Sequence, residues 1–171
     1  YAMAALSIAR KNGVGVPEDR MQKSVSYLQR LLNSDEKLSE TFVAFGSYVL
    51  SMNDAFKPTP MDLSKRVSGE STEAEMFMLL ARNNLNVSKR SMFKKKIWDI
   101  FYPQKLDVAV PSVFGEFNAR HRYKAIALLA AHSIDPDHPL AHRMAKVLLN
   151  DMASNGFWTS TSDTGWALYA L

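Results

Sequence analysis

The sequence predicts an all-α fold, and the arrangement it favours is an α/α toroid, a closed double ring of inner and outer helices. Three observations support this prediction. Segments with the alternating pattern of a β-strand are scarce among the 171 residues. Helical segments recur along the chain, and wholly apolar ones alternate with amphipathic ones. The helical pairs begin roughly 33 to 50 residues apart, which is the scale of two-helix repeats.

The composition is that of one domain of ordinary size. Hydrophobic residues make up 47% of the chain, enough for a core, and seven Gly and seven Pro are too few for a low-complexity or collagen-like protein. The sequence has no apolar run of membrane-spanning length and no N-terminal signal peptide. Because Tyr1 opens directly on a helical pattern, we expect one helical domain, residues 1–171, cut from a longer multidomain protein.

Five segments are apolar around the whole circumference of the predicted helix. A helix without a polar face must be covered on more than one side, so these segments are predicted to be the inner helices. They are residues 2–9, 42–52, 74–81, 125–131 and 165–171.

Three other segments are amphipathic, and residues 61–67 form a shorter and weaker fourth. Each has an apolar stripe, such as Met21, Val25, Leu28 and Leu32, beside charged residues. Such helices cover a core with one face and meet water with the other, so they are predicted to be the outer helices. The three are residues 17–32, 88–101 and 140–152.

Two architectures fit this alternation. Short connections make neighbouring helices antiparallel, which both a toroid and an open solenoid of helical hairpins require. Inner helices that are apolar all round favour the toroid, because a solenoid leaves its concave face in water.

Several predicted helix ends have the residues that usually begin or end a helix. They are Gly13 and Gly15 after the first helix, Pro17 at the start of the second, Thr72 with Glu75 as a capping box, and His138 followed by Pro139.

Residues 102–118 interrupt the helical pattern with Pro103, Pro111, Gly115 and a β-like LDVAV. Such a segment is long for a loop in a compact domain. It is either a lid or partner-binding arm, or an ordered insertion that packs its apolar residues onto the helices. The second interpretation is preferred, and the packing residues would be Val108, Val110, Val113, Phe114 and Phe117.

A run of polar residues, 159–164, precedes the last apolar helix. Ser160 can accept a hydrogen bond from the backbone N–H three residues on, and Asp163 can reach back toward it. The carboxylate also lies at the positive end of the helix dipole. Trp158, just before the run, would pack at the edge of the ring. The hydroxyl cluster therefore has a structural explanation without any chemistry.

These residues also resemble a known signature. Residues 156–164, GFWTSTSDT, followed by ALYAL at 167–171, resemble the W-x-S-T-Q-[DE]-T/N…A-L-x-A-L signature of the alpha-2-macroglobulin family. Residues 122–152 are similar to its bacterial branch, in which an R-x-x-A-x-x-L helix leads into a D-P-x-H-P-L turn. Residues 1–32 are similar to a helix pair earlier in the same domain. The resemblance is strong over 122–171 and loose over 41–101.

The resemblance implies an α/α-toroid thioester domain, the kind shared with complement components. In that family a C-x-E-Q motif forms an internal thioester, which cleavage of a bait region exposes to acylate the attacking protease or a surface. It implies a protease trap rather than an enzyme, in the periplasm or cell envelope and often lipid-anchored. The implied partners are target proteases and neighbouring β-sandwich domains of the same chain.

The chain departs from the family pattern at two points. It has no cysteine, so the thioester lies before Tyr1 or is missing from the protein, and a disulfide or a Cys-bound zinc in this segment is excluded. Ser162 stands where the family usually has Gln, which leaves that position only a role in capping. No catalytic, cofactor-binding or metal-ligating residue is assigned, and no cofactor is expected.

One group of residues could suggest a metal site. His138 and His142 are four apart, the spacing of helical metal ligands, but Pro139 makes His138 a cap residue outside the regular helix face. A structural turn is therefore preferred. The group comprises His132, Asp135, Asp137, His138 and His142.

A basic cluster suggests a helical-repeat scaffold that binds an acidic partner. The net charge is only +4, and no aromatic interleaving points to nucleic acid, so a solvated outer face is preferred. No nucleic-acid partner and no membrane contact are expected. The cluster comprises Arg82, Lys89, Arg90, Lys94, Lys95, Lys96 and Lys105, with Arg120, Arg122 and Lys124 near it.

Two pairs of carboxylates suggest a different alternative, an α/α-toroid lyase or glycosidase that uses them as acid and base. The pairs are Glu73 with Glu75, and Asp135 with Asp137. Both pairs lie at predicted helix starts, where the helix dipole favours acidic residues without any catalytic role.

Overall fold

The computed structural model describes residues 1–34, 36–53, 66–67, 71–85, 90–101 and 121–171. These residues form eight α-helices and no strand, which confirms the all-α prediction for the described part of the chain. The helices are α1 (Ala2–Lys11), α2 (Glu18–Leu32), α3 (Glu40–Ser51), α4 (Thr72–Leu85), α5 (Arg90–Phe101), α6 (Arg122–Ile134), α7 (Pro139–Asn150) and α8 (Thr161–Ala170). They belong to two compact units, Tyr1–Val87 and Ser88–Leu171.

In the first unit, α3 packs mainly against α4 and also contacts α1 and α2. Val43, Ala44 and Leu50 of α3 are completely buried, and Leu79 of α4 is buried with them. Both helices keep an almost continuous run of buried residues, as expected of helices that are covered on more than one side.

Helix α2 is amphipathic, as its sequence predicts, and packs a stripe of Met21, Val25 and Leu32 against Val43 and Leu50 of α3. Gly46 of α3 faces Leu28 and Leu32 of α2. A Cβ added there would meet the two Cδ atoms of Leu32 at 3.1 Å. The absence of a side chain at this position therefore allows α2 and α3 to pack tightly.

Gly13 ends α1, as the sequence predicts for a glycine directly after a helix. Gly13 has a φ of +82° and its N–H donates to the carbonyl of Arg10, while the N–H of Val14 donates to the carbonyl of Ala9. This pair of bonds is a Schellman motif, which satisfies carbonyl groups at the last turn and needs a residue in the left-handed region.

In the second unit, α6 contacts α5, α7 and α8. Its residues 125–131 are all buried, as predicted for an inner helix. Helices α5 and α7 each turn one face to a core, as predicted for amphipathic helices. The buried side chains are Phe93, Ile97 and Trp98 on α5 and Ala141, Met144 and Leu148 on α7.

Helices α1 and α8 differ from the expectation that they are covered on all sides. Helix α8 contacts α6, and Leu168 on its other face is 65% exposed. Helix α1 buries only Ala4 and Ser7. The reason is that each has neighbours on one side only among the described residues.

The N-cap of α4 lies one residue before the predicted one, at Ser71 rather than at Thr72, so the predicted capping box is wrong. Helix α4 begins at Thr72, and the Oγ of Ser71 accepts the backbone N–H of Ala74 at 3.3 Å, so Ser71 provides the cap. Ser71 is the cap because the N-cap position lies directly before the first helical residue, which is Thr72.

Two predicted segments cannot be compared with the structure. Residues 102–118 lie outside the described residues, and so do residues 61–65 of the short outer helix. Of that helix, Arg66 lies in a turn, and its guanidinium donates to the carbonyl oxygens of Leu32 and Glu36 at the end of α2.

Candidate functional site

The polar run at 159–164 forms the start of α8, as predicted. Ser160 is the N-cap, and its Oγ accepts the backbone N–H of Asp163 at 3.0 Å. The same hydroxyl donates to Oδ2 of Asp163 at 3.0 Å. Asp163 therefore reaches back to Ser160 through the hydroxyl group.

Asp163 also has a role that its own segment does not predict. The residue is completely buried, and its Oδ1 accepts the backbone N–H groups of His121 at 3.0 Å and Arg122 at 2.8 Å. These N–H groups belong to the first turn of α6, where a carboxylate also offsets the positive end of the helix dipole. One buried carboxylate thus connects the starts of α6 and α8.

A sequence signal for this contact exists at α6 rather than at α8. His121, the N-cap residue of α6, makes no side-chain capping bond. The residues before α6, NARH at 118–121, include no Ser, Thr or Asp that could cap the helix, so its first N–H groups require an acceptor from outside this segment. That requirement indicates a distant cap but does not identify Asp163.

Trp158 holds the segment before α8 against the end of α7. Its indole Nε1 donates to the carbonyl oxygen of Leu148 at 2.9 Å, and its backbone N–H donates to Oγ1 of Thr164 at 3.2 Å. The side chain is buried. The end of α7 and the start of α8 are consequently fixed to each other.

A second polar group, the Asp151 cluster, lies next to this junction and comprises His121, Lys124 and Asp151. Oδ2 of Asp151 lies 2.6 Å from Nζ of Lys124 and 3.2 Å from Nδ1 of the buried His121. A carboxylate at Nδ1 orients an imidazole, an arrangement that enzymes use for general bases. Sequence reasoning missed this cluster, because it assigned Lys124 to a solvated basic face.

Asp135 lies between α6 and α7 and contacts α5. It accepts hydrogen bonds from Nζ of Lys94 at 2.5 Å and from Nε1 of Trp98 at 3.0 Å. Burial by itself raises the pKa of Asp135, but the hydrogen bonds from Lys94 and Trp98 and the nearby positive charge outweigh it and lower that pKa. Asp135 therefore stays ionised, which suits an ion pair and not a general acid.

The residues of the possible metal site take part in other contacts. The ring of His138 stacks on that of Trp98 with centroids 3.8 Å apart, and the carboxylate of Asp135 faces Lys94 and Trp98. His132 and His142 are exposed. Across the described residues, no group of three or more His, Asp or Glu side chains is placed to hold a metal ion.

The basic cluster is partly neutralised. Lys94 pairs with Asp135, and Lys95 pairs with Asp99 at 3.1 Å on the exposed face of α5. Lys89, Lys105 and Arg120 lie outside the described residues. In the other predicted carboxylate pair, Glu73 and Glu75 lie in the first turn of α4, where the helix dipole favours them.

No helix within the described ranges is both long enough and apolar enough to cross a membrane. Comparisons of the chain with protein-family models, with curated proteins and with solved structures gave no match.

Proposed function

We propose that this chain is a thioester-type helical domain of a bacterial alpha-2-macroglobulin-like protease inhibitor, with the thioester motif itself outside the chain. The observation behind the proposal is the segment from Trp158 to Thr164, the part of the sequence that most resembles the family. Its Trp joins the segment to α7 and its Asp joins it to α6, while its Ser caps α8 itself. A family signature with such contacts would be a framework for the domain rather than a reactive centre.

We further propose that the helices form part of an α/α toroid. The presence of covered helices such as α3, α4 and α6 beside amphipathic ones such as α2, α5 and α7 supports this arrangement. The face of α8 with Leu168 would then be covered by further helices of the ring.

In this proposal the domain does no chemistry of its own. It would shield the thioester neighbourhood and contact neighbouring β-sandwich domains, and the whole protein would act on target proteases in the periplasm or cell envelope, held there by a lipid anchor. The lowered pKa of Asp135 gives no support to the alternative of a toroid lyase or glycosidase, because that residue would be a poor proton donor.

The complete reading frame around this chain is the first test. We expect several β-sandwich domains and a bait segment before residue 1. If this protein keeps the thioester, a C-x-E-Q motif should also precede residue 1. A short free-standing reading frame without β-sandwich domains would contradict the proposal.

The second test uses the full-length protein and trypsin. A protease enclosed in a trap still cleaves a small chromogenic peptide but loses activity on a large protein substrate, because only the small substrate can diffuse to it. Trypsin inactivated at its nucleophile is the control, since it cannot cleave a bait segment and should not be retained. Equal inhibition on both substrates would indicate a direct active-site inhibitor instead.

A further inference from the structure

The end of α7 and the turn after it expose three large apolar side chains. Leu149 is 45% exposed, Met152 is 41% exposed and Phe157 is 57% exposed. Single exposed apolar residues are ordinary, but these three fall within nine positions of one chain segment, and an exposed apolar group is a candidate interaction surface.

The turn that carries Phe157 is held in one conformation. The N–H of Ala153 donates to the carbonyl of Phe157 at 2.9 Å, and the N–H of Gly156 donates to the carbonyl of Ala153 at 2.9 Å. Gly156 has a φ of +82°, which favours glycine. Trp158, the next residue after Phe157, is anchored on Leu148. Hydrogen bonds therefore hold the backbone at Phe157, and little backbone entropy would be lost when a partner covers it.

Basic side chains lie on the same face of α7. His142, Lys146 and Leu149 are spaced by four and three residues, so they share one side of the helix, and Arg143 lies beside them; all four are exposed. Helix α7 contains no acidic residue. Arg143 and Lys146 form no ion pair with the described residues, in contrast to Lys94, Lys95 and Lys124.

We propose that this area, the Phe157 surface, docks an acidic amphipathic segment of a protein partner. The Phe157 surface is defined by His142, Arg143, Lys146, Leu149, Met152 and Phe157. Cations that form no ion pair with the described residues, together with exposed apolar side chains, are complementary to a segment that presents carboxylates beside aliphatic side chains. The occupant is a protein segment because one short peptide can present carboxylates to the basic residues of α7 and aliphatic side chains to the apolar ones that follow them.

An anionic membrane is a weaker fit to the same surface. A helix that lies in a membrane interface inserts an apolar face along its whole length. The apolar face of α7 is already in the core of the unit, where Met144 and Leu148 are buried. Only the three exposed apolar side chains at one end of the helix remain for a bilayer.

The test measures binding of a fluorescein-labelled synthetic peptide, with Glu on one helical face and Leu on the other, to the 171-residue chain by fluorescence anisotropy. The variants are Lys146→Glu and Phe157→Ser. Matched controls are Lys23→Glu and Tyr27→Ser, which alter another exposed Lys and another exposed aromatic residue, both on α2. Each surface variant should weaken binding about tenfold, and each control less than about twofold.

Every other outcome contradicts the proposal. It is overturned if the wild-type chain does not bind the peptide, or if all four variants bind it alike. Equal affinity for a poly-glutamate peptide would show that the apolar side chains are unnecessary. Binding to phosphatidylserine vesicles without binding to the peptide would identify a membrane surface. Circular dichroism first confirms that the variants fold, as expected since the four replaced side chains are exposed; Lys146→Gln is the milder substitute if Lys146→Glu does not fold.

Discussion

Asp163 and Arg122 are 41 residues apart in the sequence, yet the buried carboxylate of Asp163 accepts the backbone N–H of Arg122 at 2.8 Å. The same oxygen accepts the N–H of His121, and the other oxygen accepts the hydroxyl of Ser160. The carboxylate thus lies at the positive ends of two helix dipoles, which compensates for the cost of burying its charge. The orientation of α6 relative to α8 depends on this residue.

Asp163→Ala should destabilise the protein by about 2 to 4 kcal/mol, because two N–H groups at the start of α6 lose a buried acceptor. Asp163→Asn should cost less, since the amide oxygen can still accept from Arg122. Urea unfolding followed by tryptophan fluorescence is a suitable measurement, as Trp98, Trp158 and Trp166 all belong to the second unit.

Ser162→Ala is the matched control for Asp163→Ala. Ser162 is partly exposed and is the neighbour of Asp163 in the same helical turn, so its replacement should change stability by less than about 0.5 kcal/mol. If Asp163→Ala is as mild as Ser162→Ala, the carboxylate does not contribute the capping described here.

The lowered pKa of Asp135 predicts how the stability of the second unit depends on pH. The folded state binds this proton less tightly than the unfolded state, whose value is near 3.8. The contribution of Asp135 is therefore complete above that value and is lost as the pH falls through the lower folded pKa. At neutral pH, Asp135→Asn should cost about 1 kcal/mol, because Lys94 is half exposed and its ion pair is screened.

Urea unfolding from neutral pH down to about pH 2 tests this prediction. The difference in unfolding free energy between wild type and Asp135→Asn should shrink once the pH falls below 3.8. Asp99→Asn is the control: its carboxylate pairs with Lys95 on the exposed face of α5 and should show a smaller difference throughout. A difference for Asp135→Asn that is independent of pH would show that its charge is not involved.

The helices could be predicted from the sequence because their signals are local. The all-apolar pattern of residues 125–131 and the stripe of Met21, Val25 and Leu32 depend only on residues within a few turns. The same holds for Gly13 and for Ser160, each of which acts on its own helix end. Thr72 was assigned instead of Ser71 because both residues can cap, and sequence alone does not locate the first helical residue to within one position.

The polar network could not be predicted because its partners come from distant segments. His121 and Asp151 are 30 residues apart, and Lys94 and Asp135 are 41 apart. The local sequence suggests a simpler role for each of these residues, as part of a basic helix face or of a turn. Only the packing of α5, α6 and α7 brings Lys94 to Asp135 and Lys124 to Asp151, whereas Lys95 stays exposed beside Asp99 on its own helix.

Leu128→Asp should unfold the second unit, because Leu128 lies among the buried residues 125–131 of α6 and a carboxylate there would lose its hydration. Lys95→Asp should cost only about 0.5 kcal/mol, since it replaces an exposed ion pair with Asp99 by an exposed repulsion. Thermal unfolding followed by circular dichroism compares the two. If both variants melt at the same temperature as the wild type, the distinction between inner and outer helices is wrong.

Two glycines lie inside helices, Gly46 against a neighbouring side chain and Gly165 beside open space, and they should respond differently to substitution. A Cβ at Gly46 would lie 3.1 Å from the Cδ atoms of Leu32, which is buried, whereas a Cβ at Gly165 on α8 would meet nothing within 4 Å. Gly46→Val should therefore destabilise the first unit by about 2 kcal/mol through overpacking against α2. Gly165→Ala should stabilise α8 by about 0.5 to 1 kcal/mol, because alanine loses less backbone entropy in a helix. Chemical unfolding followed by far-ultraviolet circular dichroism measures both variants, and a Gly46→Val protein as stable as wild type would mean that α2 and α3 do not approach at this glycine.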